Sequence, residues 1–248
     1  MNEAKFVWHE LTTVDPQAAK AFYPKLFGWT FRDQDMGAAG TYTLWTAGER
    51  GVGGMMAMDK SHGFPSRWYG YVTVPDVDAA SRRAAALGAN VMVPPTDIPE
   101  VGRFAMFADP QGAWIAVMKP LGPDMPEEAH LRGEFCWDEL QAVDPKAAGA
   151  FYGELVGWKI QSEDRAGAYH LLRWGEKDRG GMVKTRDGAV RWLGYVKVDD
   201  VDAVARTAVT LGGKVVVPPT DLPGLGRTAT ILDPVGAELA LWKALPHR

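Results

Sequence analysis

The sequence predicts an α+β protein built from four βαβββ units, two in each half of a tandem duplication. The first observation is that the chain repeats itself. Phe6-Val7-Trp8-His9-Glu10-Leu11 returns as Phe135-Cys136-Trp137-Asp138-Glu139-Leu140, and Val14-Asp15-Pro16 returns as Val143-Asp144-Pro145. Phe22-Tyr23 and Gly28-Trp29 return as Phe151-Tyr152 and Gly157-Trp158. Further on, Val93-Pro94-Pro95-Thr96-Asp97 returns as Val217-Pro218-Pro219-Thr220-Asp221. Gly102-Arg103 and Asp109-Pro110 return as Gly226-Arg227 and Asp233-Pro234. The offset is shorter in the later part, so loops changed length while elements did not. That is one fold built twice, and a site in one copy has an image in the other. The second observation is that each half repeats one order: strand, Asp-capped helix closed by Gly, then strands divided by turns.

In the first unit, residues 5–13 alternate as a strand. Asp15 caps a helix and Pro16 fits its first turn, where a missing N–H costs nothing. Ala18, Phe22, Leu26 and Phe27 share its apolar face, and Gly28 ends it. Segments around Tyr42-Thr43-Leu44-Trp45 and residues 52–58 read as antiparallel strands. In the second unit, residues 68–74 form a strand, and Asp76 caps a helix that runs to Leu87 and closes at Gly88. Residues 90–93, 104–108 and 114–118 are strands, the last two joined by the tight turn Asp109-Pro110-Gln111-Gly112. Residues 119–132, rich in Pro and Gly, read as a linker between domains at 1–118 and 133–248.

Composition narrows the function. The 248 residues are 46% hydrophobic, ordinary for globular domains, with a net charge of −4. Without a basic patch, nucleic acid is not an expected partner. The single cysteine, Cys136, forbids an internal disulfide, and its image Val7 suggests a small buried hydrophobe. No apolar stretch is long enough for a signal or a membrane span, which predicts a cytoplasmic protein with no membrane partner.

The four units, the Phe22-Tyr23 helix, Gly28-Trp29, the strand exit at Val198-Asp199-Asp200-Val201-Asp202 and the Asp-Pro-x-Gly turns together resemble the vicinal oxygen chelate superfamily. That superfamily includes glyoxalase I, extradiol dioxygenases, fosfomycin and bleomycin resistance proteins and methylmalonyl-CoA epimerase. The resemblance covers nearly the whole chain outside the linker. It implies cupped, mostly antiparallel sheets with a ligand in the cup. It also implies a divalent metal (Zn, Ni, Mn or Fe) held by His and Glu on the inner strand faces. Carried onto this chain, the family's ligand positions fall on Trp8 and Trp137, on Tyr69 and Leu193, and on Ala116 and Ala240. None of these binds metal in the usual way, so no metal and no cofactor are expected. His9 and Glu238 stand near such positions, but a shift of one residue turns a strand side chain to the other face. His62, His130, His170 and His247 share no strand spacing with a carboxylate. An unusual site through Glu10 or Glu139 stays open.

If the family's ligand face is the cup face, alternation places Trp8, Glu10 and Thr12 in the first cup, with Trp137 and Glu139 as images. Tyr69 and Tyr71 join them, answered by Leu193 and Tyr195. Tyr42 matches Tyr169, and Arg103 matches Arg227. Aromatic walls suit planar or cationic ligands, at ~0.5–2 kcal/mol per contact. Glu10 and Glu139 are the candidate catalytic residues, to orient an amine or hydroxyl or to act as a base. Alternatively they pair with Arg103 and Arg227, and Trp8 and Trp137 simply fill the space of a metal. Phe22, Tyr23 and Trp29 are expected in the core, with Trp68 and Trp192 on the strand face opposite the cup.

Three functions follow. The first is a metal-free binder of a small aromatic or cationic molecule, resembling bleomycin resistance proteins. The second is a lyase, isomerase or dioxygenase of the glyoxalase type. The third is a stress or interaction protein that keeps the fold without the site. Fusion of the two halves is compatible with a monomer. The residues leave open which units pair.

Overall fold

Each half is laid down as one βαβββ unit after another. The structure, a computed structural model, describes residues 3–122, 129–163 and 169–245. Residues 123–128 of the expected linker, and His247, lie outside the described residues. The first half runs β1 (Phe6–Thr13), α1 (Pro16–Phe27), β2 (Thr30–Asp35), β3 (Thr41–Ala47), β4 (Arg50–Ala57), β5 (Arg67–Thr73), α2 (Val77–Ala86), β6 (Asn90–Ile98), β7 (Gly102–Ala108) and β8 (Trp114–Pro120). The second runs β9 (Phe135–Ala142), α3 (Pro145–Val156), β10 (Lys159–Glu163), β11 (Tyr169–Trp174), β12 (Lys177–Lys184), β13 (Arg191–Lys197), α4 (Val201–Thr210), β14 (Lys214–Leu222), β15 (Gly226–Leu232) and β16 (Glu238–Ala244). No helix among the described residues is long and apolar enough to cross a membrane.

The strands form two eight-stranded sheets, ordered β2-β3-β4-β1-β5-β8-β7-β6 and β10-β11-β12-β9-β13-β16-β15-β14, neither closed into a barrel. Hairpin neighbours are antiparallel, but β1 pairs with β4 in parallel, as do β5 with β8, β9 with β12 and β13 with β16. The sheets are therefore mixed. A helix crossover returns β2 in the direction of β1, and two hairpin reversals bring β4 back in that direction. The strand expected to end at Val93 is longer: β6 continues through Pro94 and Pro95 to Ile98. It lies at the sheet edge, where a missing N–H breaks no ladder.

The helix caps follow the residue chemistry. The Asp15 carboxylate accepts from the N–H groups of Gln17 and Ala18, at 3.1 and 3.0 Å. Gly28 takes the left-handed conformation at φ 75° and donates its N–H to the Pro24 carbonyl. The buried face of α1 is Ala19, Phe22, Tyr23, Leu26 and Phe27, shifted by one residue from the expected Ala18. This set keeps the i, i+3, i+4, i+7 rhythm better.

The chain divides into two compact units, and each combines a unit of the first half with a unit of the second. One contains α1 and α4, whose core gathers Phe22, Tyr23, Trp29, Trp45, Trp68 and Ile231. The other contains α2 and α3, with Val72, Phe107, Tyr152, Trp158 and Trp192 in its core. Burial of each large side chain contributes about 1.5–3 kcal/mol.

Candidate functional site

Alternation along β1 sorts its side chains to two faces. Leu11 and His9 are buried, and His9 stacks on Phe135 with centroids 3.7 Å apart. Trp8, Glu10 and Thr12 take the opposite face. Across the parallel pair Glu10 stands opposite Gly54, and in the next pair Tyr42 stands opposite Met56. Tyr42 leans over Gly54, where any Cβ would collide with the Tyr42 hydroxyl and come within 2.6 Å of Glu10 Oε2. The glycine is what allows tyrosine and glutamate to meet.

They meet in a relay. Trp8 Nε1 donates to Tyr42 Oη at 3.0 Å, and Tyr42 Oη donates to Glu10 Oε2 at 2.9 Å. Glu10 is 2% exposed. Burial pushes its carboxyl up to about 7, against the opposing pull of the Tyr42 and Trp8 hydrogen bonds. At neutral pH this group is divided between acid and carboxylate, so it can hold or release a proton. Two residues on, the Thr12 hydroxyl is buried and has no hydrogen-bond partner.

The second copy repeats the arrangement. Trp137 Nε1 donates to Tyr169 Oη at 2.8 Å. Tyr169 also bonds to Glu139; burial first, and then the Glu139 charge, raise its hydroxyl above the ordinary range. Gly181, opposite Glu139, is the image of Gly54, and a Cβ there would strike Tyr169. One residue differs. Gln141 replaces Thr12 and donates its Nε2 to Glu139 Oε1 at 3.3 Å.

The other candidates are distributed differently. Tyr69 and Tyr71 are buried and stacked with centroids 5.7 Å apart; Tyr69 meets Trp114 edge-on and Tyr71 meets Phe104. Tyr195 is half-buried, with its carbonyl 3.4 Å from the Cys136 thiol. Cys136 is itself half-buried, where full burial was expected.

Both arginines pair with aspartates rather than with Glu10 or Glu139. Arg103 grips both oxygens of Asp78 at 2.8 and 3.0 Å and also Asp97 at 2.8 Å. Arg227 does the same with Asp202 and Asp221. Each clamp ties the start of a strand to the first turn of the preceding helix. The glutamates are held by tyrosines instead. A cleft of about 270 Å³ beside Lys20, Asp33, Thr43 and Met55 also lies away from the relay. Thr43 points to the opposite face from Tyr42.

A second pair of relays was not legible as such. In one unit Trp68 Nε1 donates to Tyr23 Oη at 2.8 Å, and Tyr23 Oη donates to Asp233 Oδ2 at 2.9 Å. In the other, Trp192, Tyr152 and Asp109 do the same at 2.8 and 2.9 Å. These aspartates begin the Asp-Pro-x-Gly turns. A signal for the glycine cradles was present in the sequence: a Gly-Gly-Met run, Gly53-Gly54-Met55 and Gly180-Gly181-Met182, recurs inside a strand of each copy. Glycine within a strand often marks a close approach.

The donor set does not fit the metal that the resemblance implies. The indole nitrogen of Trp8 spends its proton on Tyr42 and has no lone pair to offer. Ala116 and Ala240 carry no donor. Among the described residues no three His, Cys, Asp or Glu side chains gather as metal ligands do.

Comparison with known proteins places this geometry in context. The family model described as Glyoxalase/Bleomycin resistance protein/Dioxygenase superfamily matches residues 5–117. A glyoxalase-like domain model matches residues 134–242. "Putative glyoxylase CFP32" of Mycobacterium tuberculosis is 34% identical over 97% of this chain and 95% of its own length. The anthracycline biosynthesis protein DauV of a Streptomyces species is 33% identical over 93% of this chain and 90% of its own. Among solved structures, the Mn(II)-bound glyoxalase from Novosphingobium aromaticivorans aligns with a TM-score of 0.68 at 17% identity, covering 97% of this chain and 82% of that one. The 2,3-dioxygenase LapB from Pseudomonas sp. KL28 aligns with a TM-score of 0.65 at 13% identity, covering 100% and 95%.

Proposed function

Because the chain belongs to the glyoxalase/bleomycin resistance protein/dioxygenase superfamily, we propose that it uses the ligand face of that fold without the metal, to bind a small aromatic or cationic molecule. The observation that carries this reading is the Trp8–Tyr42–Glu10 relay. It stands on the first strand, where the family resemblance puts a metal ligand, and its partners are aromatic rings around a buried carboxyl. Half-buried Trp8 and Tyr42 offer ring surface to a planar ligand, and Glu10 offers an acceptor or a negative charge. The similarity to proteins named for anthracycline biosynthesis agrees, because anthracyclines are planar aromatic compounds.

A second reading is favoured by one observation, the Glu10 carboxyl near neutrality. In that reading Glu10 is a metal-independent general base or acid, taking a proton from a bound substrate or giving one back. The similarity to the mycobacterial protein named as a glyoxylase supports this reading.

The test has two arms. Metal content is measured on untagged protein prepared without chelator, followed by thermal titration with zinc, nickel, manganese and ferrous ions. The expected result is no stoichiometric metal and no stabilisation. A bound ion in one-to-one ratio overturns the metal-free reading and puts a metal-dependent enzyme in its place. In the second arm, quenching of tryptophan fluorescence reports binding of aromatic amines. Glu10→Gln is expected to weaken that binding about tenfold, the scale of a lost charge-assisted hydrogen bond. Equal binding by both proteins removes Glu10 from the site.

A further inference from the structure

The two relays differ at the residue two places after the glutamate, Thr12 in the first copy and Gln141 in the second. Side chains two apart on one strand face stand about 7 Å apart. Gln141 is long enough to cross that gap, and it reaches Glu139 Oε1 at 3.3 Å. Thr12 is too short to do the same. Its hydroxyl, two residues from Glu10 on the same strand face, is buried and finds no partner among the described residues, and Glu10 is bonded by Tyr42 and Trp8. A buried hydroxyl without a partner loses its bonds to water and gains none in return, so a use for the group is to be sought.

We propose that the residue two places after the buried glutamate selects the working copy. The first copy, with Thr12, takes a ligand O–H or N–H group between Glu10 and Thr12, while Gln141 closes the second by standing where that group would be. This rests on the binding reading above and specifies it. The ligand is an aromatic molecule with at least one hydrogen-bond donor on its rim. The donor makes its hydrogen bond to the Glu10 carboxyl oxygen. The Thr12 oxygen accepts a second N–H, or its hydroxyl donates to the ligand oxygen. The ring lies against Trp8 and Tyr42. In the second copy Gln141 Nε2 already supplies the donor, so Glu139 has less to gain from a ligand.

Aminoacridine, which carries an aromatic plane and an amino donor, is a suitable probe; acridine, which lacks the amino group, is its control. Isothermal titration on the full chain is expected to give one aminoacridine per chain, and binding of acridine about tenfold weaker. Thr12→Gln closes the first copy and is expected to lower the affinity at least tenfold. Thr12→Val, which keeps the shape and removes the hydroxyl, gives a smaller loss of several-fold. Gln141→Thr opens the second copy and raises the stoichiometry to two. That gain cannot arise from misfolding. If the wild-type chain binds aminoacridine but neither Thr12→Gln nor Gln141→Thr changes affinity or stoichiometry, the selection proposal is overturned and the binding reading stands. If the wild-type chain binds no aminoacridine, both fall together.

Discussion

Tyr23 and Tyr42 each accept an indole N–H and each donate to a buried carboxylate, yet the two carboxylates live in different company. The Asp233 oxygen that Tyr23 does not reach accepts the N–H groups of Val235 and Ala237, at 2.9 and 2.8 Å. Its needs are met by the turn that it begins, and burial raises its pKa above the ordinary carboxylate value. Glu10 is more deeply buried, has Tyr42 and Trp8 beside it, and receives no backbone N–H among the described residues. Backbone donors lock a carboxylate in place, because they are part of a fold that cannot turn away. Side-chain donors turn about their own torsions, so another molecule can take their place. The same order of indole, phenol and carboxyl therefore serves as a structural knot on one face and a candidate site on the other.

The largest expected effect comes from breaking the knot. Asp233→Ala strands a tyrosine hydroxyl and two backbone N–H groups in the core, and is expected to cost about 3–5 kcal/mol of unfolding free energy. Urea denaturation measures it, and Asp109→Ala should match it in the other unit. A loss below about 1 kcal/mol in both would mean that the knots are not structural.

The relay of Glu10 predicts a pH effect next. Its folded carboxyl titrates near 7, above the value of 4.5 expected for an ordinary glutamate. The folded state therefore binds a proton more tightly than the unfolded state does. The stability this brings is fully present below about 4.5 and is lost as pH rises to about 7. The difference between the ends of that window is on the order of 3 kcal/mol. Glu10→Gln keeps an acceptor for Tyr42 and removes the titration. Its stability relative to wild type should climb across the same window, as read by chemical denaturation at a series of pH values. A flat difference would place the Glu10 carboxyl in its ordinary range.

Smaller still is the effect of filling the cradle. Gly54→Ala pushes a methyl group into Tyr42 and Glu10, at a cost of about 1–3 kcal/mol. It should also lower the apparent pKa of Glu10 by opening the site to water, visible in the carboxyl infrared band. Trp8→Phe is the mildest change, since it removes only the indole N–H. About 1 kcal/mol is expected from thermal denaturation, together with a rise in ligand dissociation.

Much of this architecture is written in the residue order. Asp15-Pro16 and Gly28 set the ends of α1, because a capping carboxylate and a left-handed glycine act locally. The face of β1 that carries Trp8, Glu10 and Thr12 follows from a period of two, which no packing partner needs to enforce. Arg103 shows where such reasoning stops. Its place at the start of β7 was legible, but its partner was not. Of the acids it grips, Asp78 lies on the helix two elements earlier and Asp97 on the neighbouring strand. The length of β6 escaped for a similar reason: whether a strand is an edge, where prolines are tolerated, depends on its neighbours, not on its own residues.

The sequence by itself determined the duplication, the order of the elements and the family. Each of these depends on residue order and local pattern, which the chain carries before it folds. Tertiary structure alone decided which units of the two halves share a core and that Glu10 is met by tyrosine rather than arginine. It also decided that Asp233 is saturated while Thr12 is not. Those outcomes depend on which groups burial brings within about 3 Å of one another, a distance that sequence separation does not encode.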